Sequence, residues 1–211
     1  MVKRKRNTPP PQRRRWLASV GAAVLAAIVG IVVLMNATGG GSASAAQSPP
    51  LLAGLDTAAN GQTVDGIQSQ SNEQVLYHIH AHLAVDVNGT PRTIPAGIGI
   101  TPPLQIEQTT GGPFVAGGSS FYWLHSHTAD GIIHIESPVQ RTYTLGNYFD
   151  IWGQPLSTSQ VGPAHGTVIA YVDGHRFTGN PRDITLGAHT VIQLDVGKDV
   201  APQPFTFPQG L

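Results

Sequence analysis

The chain predicts a mainly β domain outside the cytoplasm, a small antiparallel β-sandwich or barrel with one short helix, preceded by an N-terminal transmembrane helix. Three observations carry this. The twenty residues Trp16 to Met35 contain no charge and one hydroxyl, Ser19, and follow a start rich in Lys and Arg. From Val75 onward, apolar and polar residues alternate instead of recurring at helical spacing. Asn88-Gly89 and Asp173-Gly174 each separate two such runs, as the turns of tight hairpins do.

Residues 1–15 form a basic cytoplasmic N-terminus, with Lys3, Arg4, Lys5, Arg6, Arg13, Arg14 and Arg15. Residues 16–35 are read as a signal anchor, since a helix of this length spans about 30 Å, the thickness of a bilayer's hydrocarbon core. Cations are retained on the cytoplasmic side, so everything after Met35 is expected outside, with Trp16 at the interface and the lipid bilayer as a partner. Ala43-Ser44-Ala45 offers small residues to a signal peptidase, and cleavage near Ala45 would give a secreted form. The apolar run exceeds a usual signal-peptide core, which favours the uncleaved single-pass form. Residues 36–74, rich in Gly, Ala, Ser, Gln and Pro without apolar period, read as a flexible extracytoplasmic tether in which Leu51, Leu52 and Leu55 could dock.

Residues 75–200 are the His-rich β domain, and 201–211 a tail. In Tyr77 to Val87 the odd positions from Ile79 are apolar and the even ones are His78, His80, His82, Ala84 and Asp86, the pattern of a half-buried strand. Further strands are expected at Phe121 to Ser126, Ile132 to Glu136, Thr167 to Val172 and Thr190 to Val196. One helix is expected behind Thr144 as cap, with Leu145, Phe149 and Trp152 on its buried face, Gly153 as terminator and Pro155 beyond. Residues 101 to 120, dense in Pro and Gly, read as a long loop, either a lid or a mobile insertion. A weak internal echo links Val87-Asn88-Gly89 with Pro91-Arg92 to Val172-Asp173-Gly174 with Pro181-Arg182.

Composition excludes several function classes. From Asp56 onward stand all 12 acidic residues and only Arg92, Arg141, Arg176, Arg182 and Lys198, so the body lacks the basic face that nucleic acid requires. With no cysteine, thiolate catalysis, disulfides and sulfur-ligated metal centres are out, and Met35 is the only methionine after the first residue. No Gly-rich phosphate loop, helical His-Glu-x-x-His or cupin signature is present, and no nucleotide or organic cofactor is indicated.

Six of the 9 histidines fall in two groups, His78, His80, His82 and His125, His127, His134. If Asp130-Gly131 makes a two-residue hairpin turn, His127 pairs with His134 and His125 with Glu136, which puts all four side chains on one face. Same-strand neighbours two apart are separated by roughly 6.6 Å and opposed residues by about 5 Å, so imidazoles there can converge on one ion. His78 and His82 are too far apart to share an ion easily, which makes His80 with His82 the expected pair facing the second group. Glu136 and Asp86 are expected as ligands or as groups that orient a ligand imidazole. Imidazole and carboxylate donors without sulfur suit Zn(II) or Cu(II). His165, His175 and His189, beside turns or Gly, are not expected to contribute.

Five separated blocks resemble a family of uncharacterised secreted or membrane-anchored prokaryotic proteins common in actinobacteria. They are His78 to Leu83, Ile94 to Ile100, Trp123 to His127, Gly131 to Pro138 and Leu145 to Gly153. The resemblance covers roughly residues 75 to 200 and implies location outside the cytoplasm but no activity. Members usually carry Asp where this chain has Thr128, so no carboxylate is expected directly after the second histidine of Trp123 to His127. The residues thus point to a metal-binding protein, with an open-site metalloenzyme of hydrolytic or oxidative type and a metal-free interaction module as the alternatives.

Overall fold

The computed structural model describes residues 48–211. Seven strands build its main sheet: β1 (Tyr77–Val87), β2 (Thr90–Arg92), β3 (Leu124–His125), β4 (Ile132–Ser137), β5 (Val168–Val172), β6 (His175–Phe177) and β7 (Val191–Val196). Their spatial order is β6-β5-β7-β1-β4-β3, with β2 continuing the β4 edge of β1. The fold is mainly β, as expected, but the sheet is mixed, because β7 runs parallel to β1 with Val191 beside His82 and Val196 beside Val87. A parallel neighbour needs no tight turn between the two strands, so no local signal announces it.

Both Asx-Gly turns form. Asn88 and Gly89 (φ 54 and 77) join β1 to β2, and Asp173 and Gly174 (φ 51 and 77) join β5 to β6. Two consecutive positive φ values match the right-handed strand twist, and this is why Asx-Gly is favoured there. The internal echo ends at these hairpins: Pro91 and Arg92 lie in β2, whereas Pro181–Asp183 is a 3₁₀ turn.

Alternation in β1 sends Ala81, Leu83 and Val85 into the core with Ile133 and Ile135 of β4 and Ile192 and Leu194 of β7. The helix α1 (Leu145–Trp152) adds Leu145, Phe149 and Trp152 to the same core. Thr144 Oγ1 accepts from the Asn147 amide at 3.4 Å while Asn147 Oδ1 accepts from the Thr144 amide at 3.0 Å, a capping box that satisfies two free donors. Gly153 ends the helix at φ 69, and a Cβ there would strike the Thr57 carbonyl.

The tether expected over residues 36–74 lies outside the described residues up to position 47, and its remainder takes the docked alternative that Leu52 and Leu55 offered. Residues 48–74 are anchored by a few apolar side chains: Ile67 is fully buried, Leu52 nearly so, and Leu55 packs on the core, while Leu51 stays exposed. The Trp152 indole donates to the Gly54 carbonyl at 2.8 Å, and Ser69–Gln70 pairs with Tyr122 and Phe121. Isolated apolar anchors spaced by polar residues produce no period, which is why composition alone reads as a tether. The 101 to 120 segment is likewise ordered, holding the hairpin of Gln105–Thr109 and Gly112–Gly117. The expected membrane span at 16–35 lies outside the described residues; among the described residues no helix is long and apolar enough to cross a membrane.

Candidate metal centre

The polar face of the main sheet carries His78 and His80 on β1, His134 and Glu136 on β4 and His125 on β3. Cross-strand register sets His80 opposite His134, His134 opposite His125, and His78 opposite Glu136. Three imidazoles therefore stand in one row across three strands, with ring centroids of His80 and His134 4.5 Å apart and of His125 and His134 5.4 Å apart.

The β3–β4 register differs from the expected hairpin by two residues: His125, not His127, faces His134. Residues 126–131 are claimed by other partners. The Ser126 amide donates to Ile98 O at 2.9 Å, Ser126 O accepts from Gly97 N at 2.8 Å, and His127 O accepts from Val115 N at 2.9 Å. Asp130 caps the start of β4 by accepting from the Ile132 amide at 3.0 Å. A shift of two preserves parity, so His125, His134 and Glu136 keep the common face. His127 reaches it from the loop instead, its ring stacked on Phe114 at 4.8 Å between centroids.

His125 and His127 are held in one protonation form. A carbonyl only accepts, so His125 Nδ1, 2.9 Å from Tyr122 O, and His127 Nδ1, 2.6 Å from Val115 O, must both carry their protons. Their Nε2 atoms then present lone pairs, and these face each other at 3.1 Å. Burial depresses both rings, with the neighbouring His127 adding to the effect at His125, whose pKa falls to about 3. Neither is an imidazolium near neutrality, so no proton bridges the pair.

Carboxylates complete the convergence. Glu73 Oε1 stands 3.3 Å from His127 Nε2 and 3.9 Å from His125 Nε2, and Glu136 Oε2, buried without a hydrogen-bond partner, lies 4.0 Å from His125 Nε2. Burial pushes Glu136 up, but the hydrogen bond from His134 and the surrounding imidazoles outweigh it and hold the carboxyl at about 2. Among the described residues, the basic side chains within 4 Å of the Glu73 and Glu136 carboxylates are histidines only. On the other side, His78 Nε2 lies 3.0 Å from both His80 Nε2 and Glu136 Oε1, and His134 Nδ1 lies 3.2 Å from His80 Nε2 and 3.3 Å from Glu136 Oε1. An ion ligated tetrahedrally at about 2.0–2.1 Å sets its donors about 3.3 Å apart, close to these separations. The cluster could hold a metal ion.

Of the residues expected here, His78, His80, His125, His127, His134 and Glu136 come together, and His82 and Asp86 do not. His82 donates Nε2–H to Asp130 O at 3.1 Å and is stacked under Phe205 of the tail, centroids 3.5 Å apart. The expected His80–His82 pair is thus replaced by His78 with His80, because β4 runs beside the first half of β1 and its own polar residues meet that half. Asp86, at the far end of β1, lies opposite Asp195 of β7. His165 and His175 are exposed, and His189 bonds the Leu211 carbonyl at 2.8 Å. Glu73 is the residue that pattern reading missed. Its one sequence signal is that it is the sole acid between Asp65 and Asp86.

Comparison with family models, with curated proteins and with solved structures finds no match for the chain.

Proposed function

We propose that the protein is a membrane-anchored metal-binding protein whose histidine cluster works outside the cytoplasm and takes Zn(II) or Cu(II). The facing lone pairs of His125 and His127 carry this reading. Two neutral nitrogens 3.1 Å apart with no proton between them repel, and so do the carboxylates beside them. A shared cation turns the same arrangement from repulsive to attractive. Neutral imidazole and carboxylate donors match the preferences of both ions, and residues 48–211 contain neither cysteine nor methionine to favour a softer one.

Metal analysis of the purified full-length protein tests it. The protein should retain Zn(II) or Cu(II) through gel filtration, and the His80→Ala/His127→Ala double variant should lose it while keeping its β-type circular dichroism. Unchanged metal content in that variant would leave the histidines as a polar surface only. The anchored topology, supported by the cations ahead of Trp16, predicts that protease added to intact cells removes a tag placed after Leu211 and spares one placed before Lys3. Protection of both tags would contradict it.

A further inference from the structure

The centre contains more donors than one ion can use. Zn(II) in a protein takes about four ligands, and eight donor atoms converge here in two groups of four. In the first are His125 Nε2, His127 Nε2, Glu73 Oε1 and Glu136 Oε2, with recorded separations from 3.1 to 4.0 Å. In the second are His78 Nε2, His80 Nε2, His134 Nδ1 and Glu136 Oε1, with separations from 3.0 to 3.3 Å. His134 lies within ligand reach of both groups, beside His125 and His127 on one side and His78 and His80 on the other. Glu136 divides its carboxylate between them, with Oε1 turned to the β1 histidines and the partnerless, buried Oε2 turned to the His125 side.

A carboxylate shared in this manner is the usual bridge of two-metal sites, in which the ions sit about 3.5–4 Å apart. A single ion in the second group would leave the His125 and His127 lone pairs opposed, and one in the first would leave a second set of four donors, His78, His80, His134 and Glu136 Oε1, whose N–H contacts an ion would replace. We propose that the centre binds a pair of metal ions bridged by the Glu136 carboxylate, one held by His125, His127 and Glu73 and the other by His78, His80 and His134. This inference rests on the metal reading above and adds a second position with its own ligands.

The test is a count of ions in the full-length protein, loaded with Zn(II) chloride and freed of excess by gel filtration. Two zinc ions per chain are expected. The His78→Ala/His80→Ala variant should hold one, and it is a safe substitution for folding at His78, which is exposed on the sheet surface. The His125→Ala/His127→Ala variant should also hold one, from the opposite group. Loading the unaltered protein with two equivalents of Cu(II) gives a second readout that needs no substitution: the paramagnetic resonance spectrum should show a magnetically coupled pair, reverting to an isolated ion in the His78→Ala/His80→Ala variant. One ion per chain, or two uncoupled copper signals, would overturn the bridged pair while leaving the metal reading in place. No bound ion at all would overturn both.

Discussion

His125 and His127 owe their donor form to two backbone carbonyls, and that has a consequence for pH. Burial lowers His125 to about 3 and His80 to about 4, in the latter with His134 and His78 adding to the effect. In the unfolded chain both rings titrate at about 6.5. Between these values the unfolded state binds protons that the folded state refuses, so stability of the metal-free protein should fall as pH drops from about 6.5. Asp86, Asp195 and Glu73, raised by burial, pull the other way at the acid end, so the histidine effect is best read just below the ordinary histidine range. Thermal unfolding measured in that range should show a falling midpoint; a flat or rising one would contradict the buried neutral rings. Protons also compete poorly for these lone pairs, so metal should be released at a lower pH than from exposed histidines. His82 offers the contrasting case. Its ring packs under Phe205, so His82→Ala should leave the metal count unchanged and cost about 1 kcal/mol of stability through the lost stacking, as read by urea denaturation.

At the level of elements, α1 was legible down to its ends, since Thr144 and Gly153 supply the cap and stop by local chemistry alone. Thr144→Ala should lower stability by about 1 kcal/mol through the lost cap. Gly153→Ala should cost more, because it strains the left-handed φ and drives a Cβ into the Thr57 carbonyl. Hydrogen exchange should show the added loss in residues 48–74; equal effects of the two variants would mean that this segment is not docked on the helix end. The β3–β4 pairing was legible only as parity. Alternation places His125, His134 and Glu136 on one face at any even shift, but the register depends on Ile98 and Val115, which are distant in sequence and bond the 126–131 loop. The hairpin ending at Gly117 shows the same limit: its Pro and Gly content marks a loop, while its role of orienting His127 through Val115 O is visible only in three dimensions.

Across the whole molecule, what the sequence reveals is what depends on neighbours a few residues away: strand alternation, Asx-Gly turns, helix caps and the two histidine groups. The parallel placement of β7 and the arrival of Glu73 beside His127 are long-range results of packing, and the segment that delivers Glu73 has no period to announce it. That segment belongs to the core. Ile67→Ala, in a stretch whose composition suggests a linker, should cost about 2–5 kcal/mol, as a cavity in any well-packed interior does. A loss below about 0.5 kcal/mol would show that residues 48–74 add nothing to the fold. The central claim, that histidine lone pairs from β1, β3, β4 and the 126–131 loop converge on bound metal, is met most directly by X-ray absorption of the zinc-loaded full-length protein. The predicted spectrum has nitrogen and oxygen neighbours at about 2.0–2.1 Å with the multiple scattering of several imidazole rings. A shell of oxygen alone, without imidazole scattering, would contradict it.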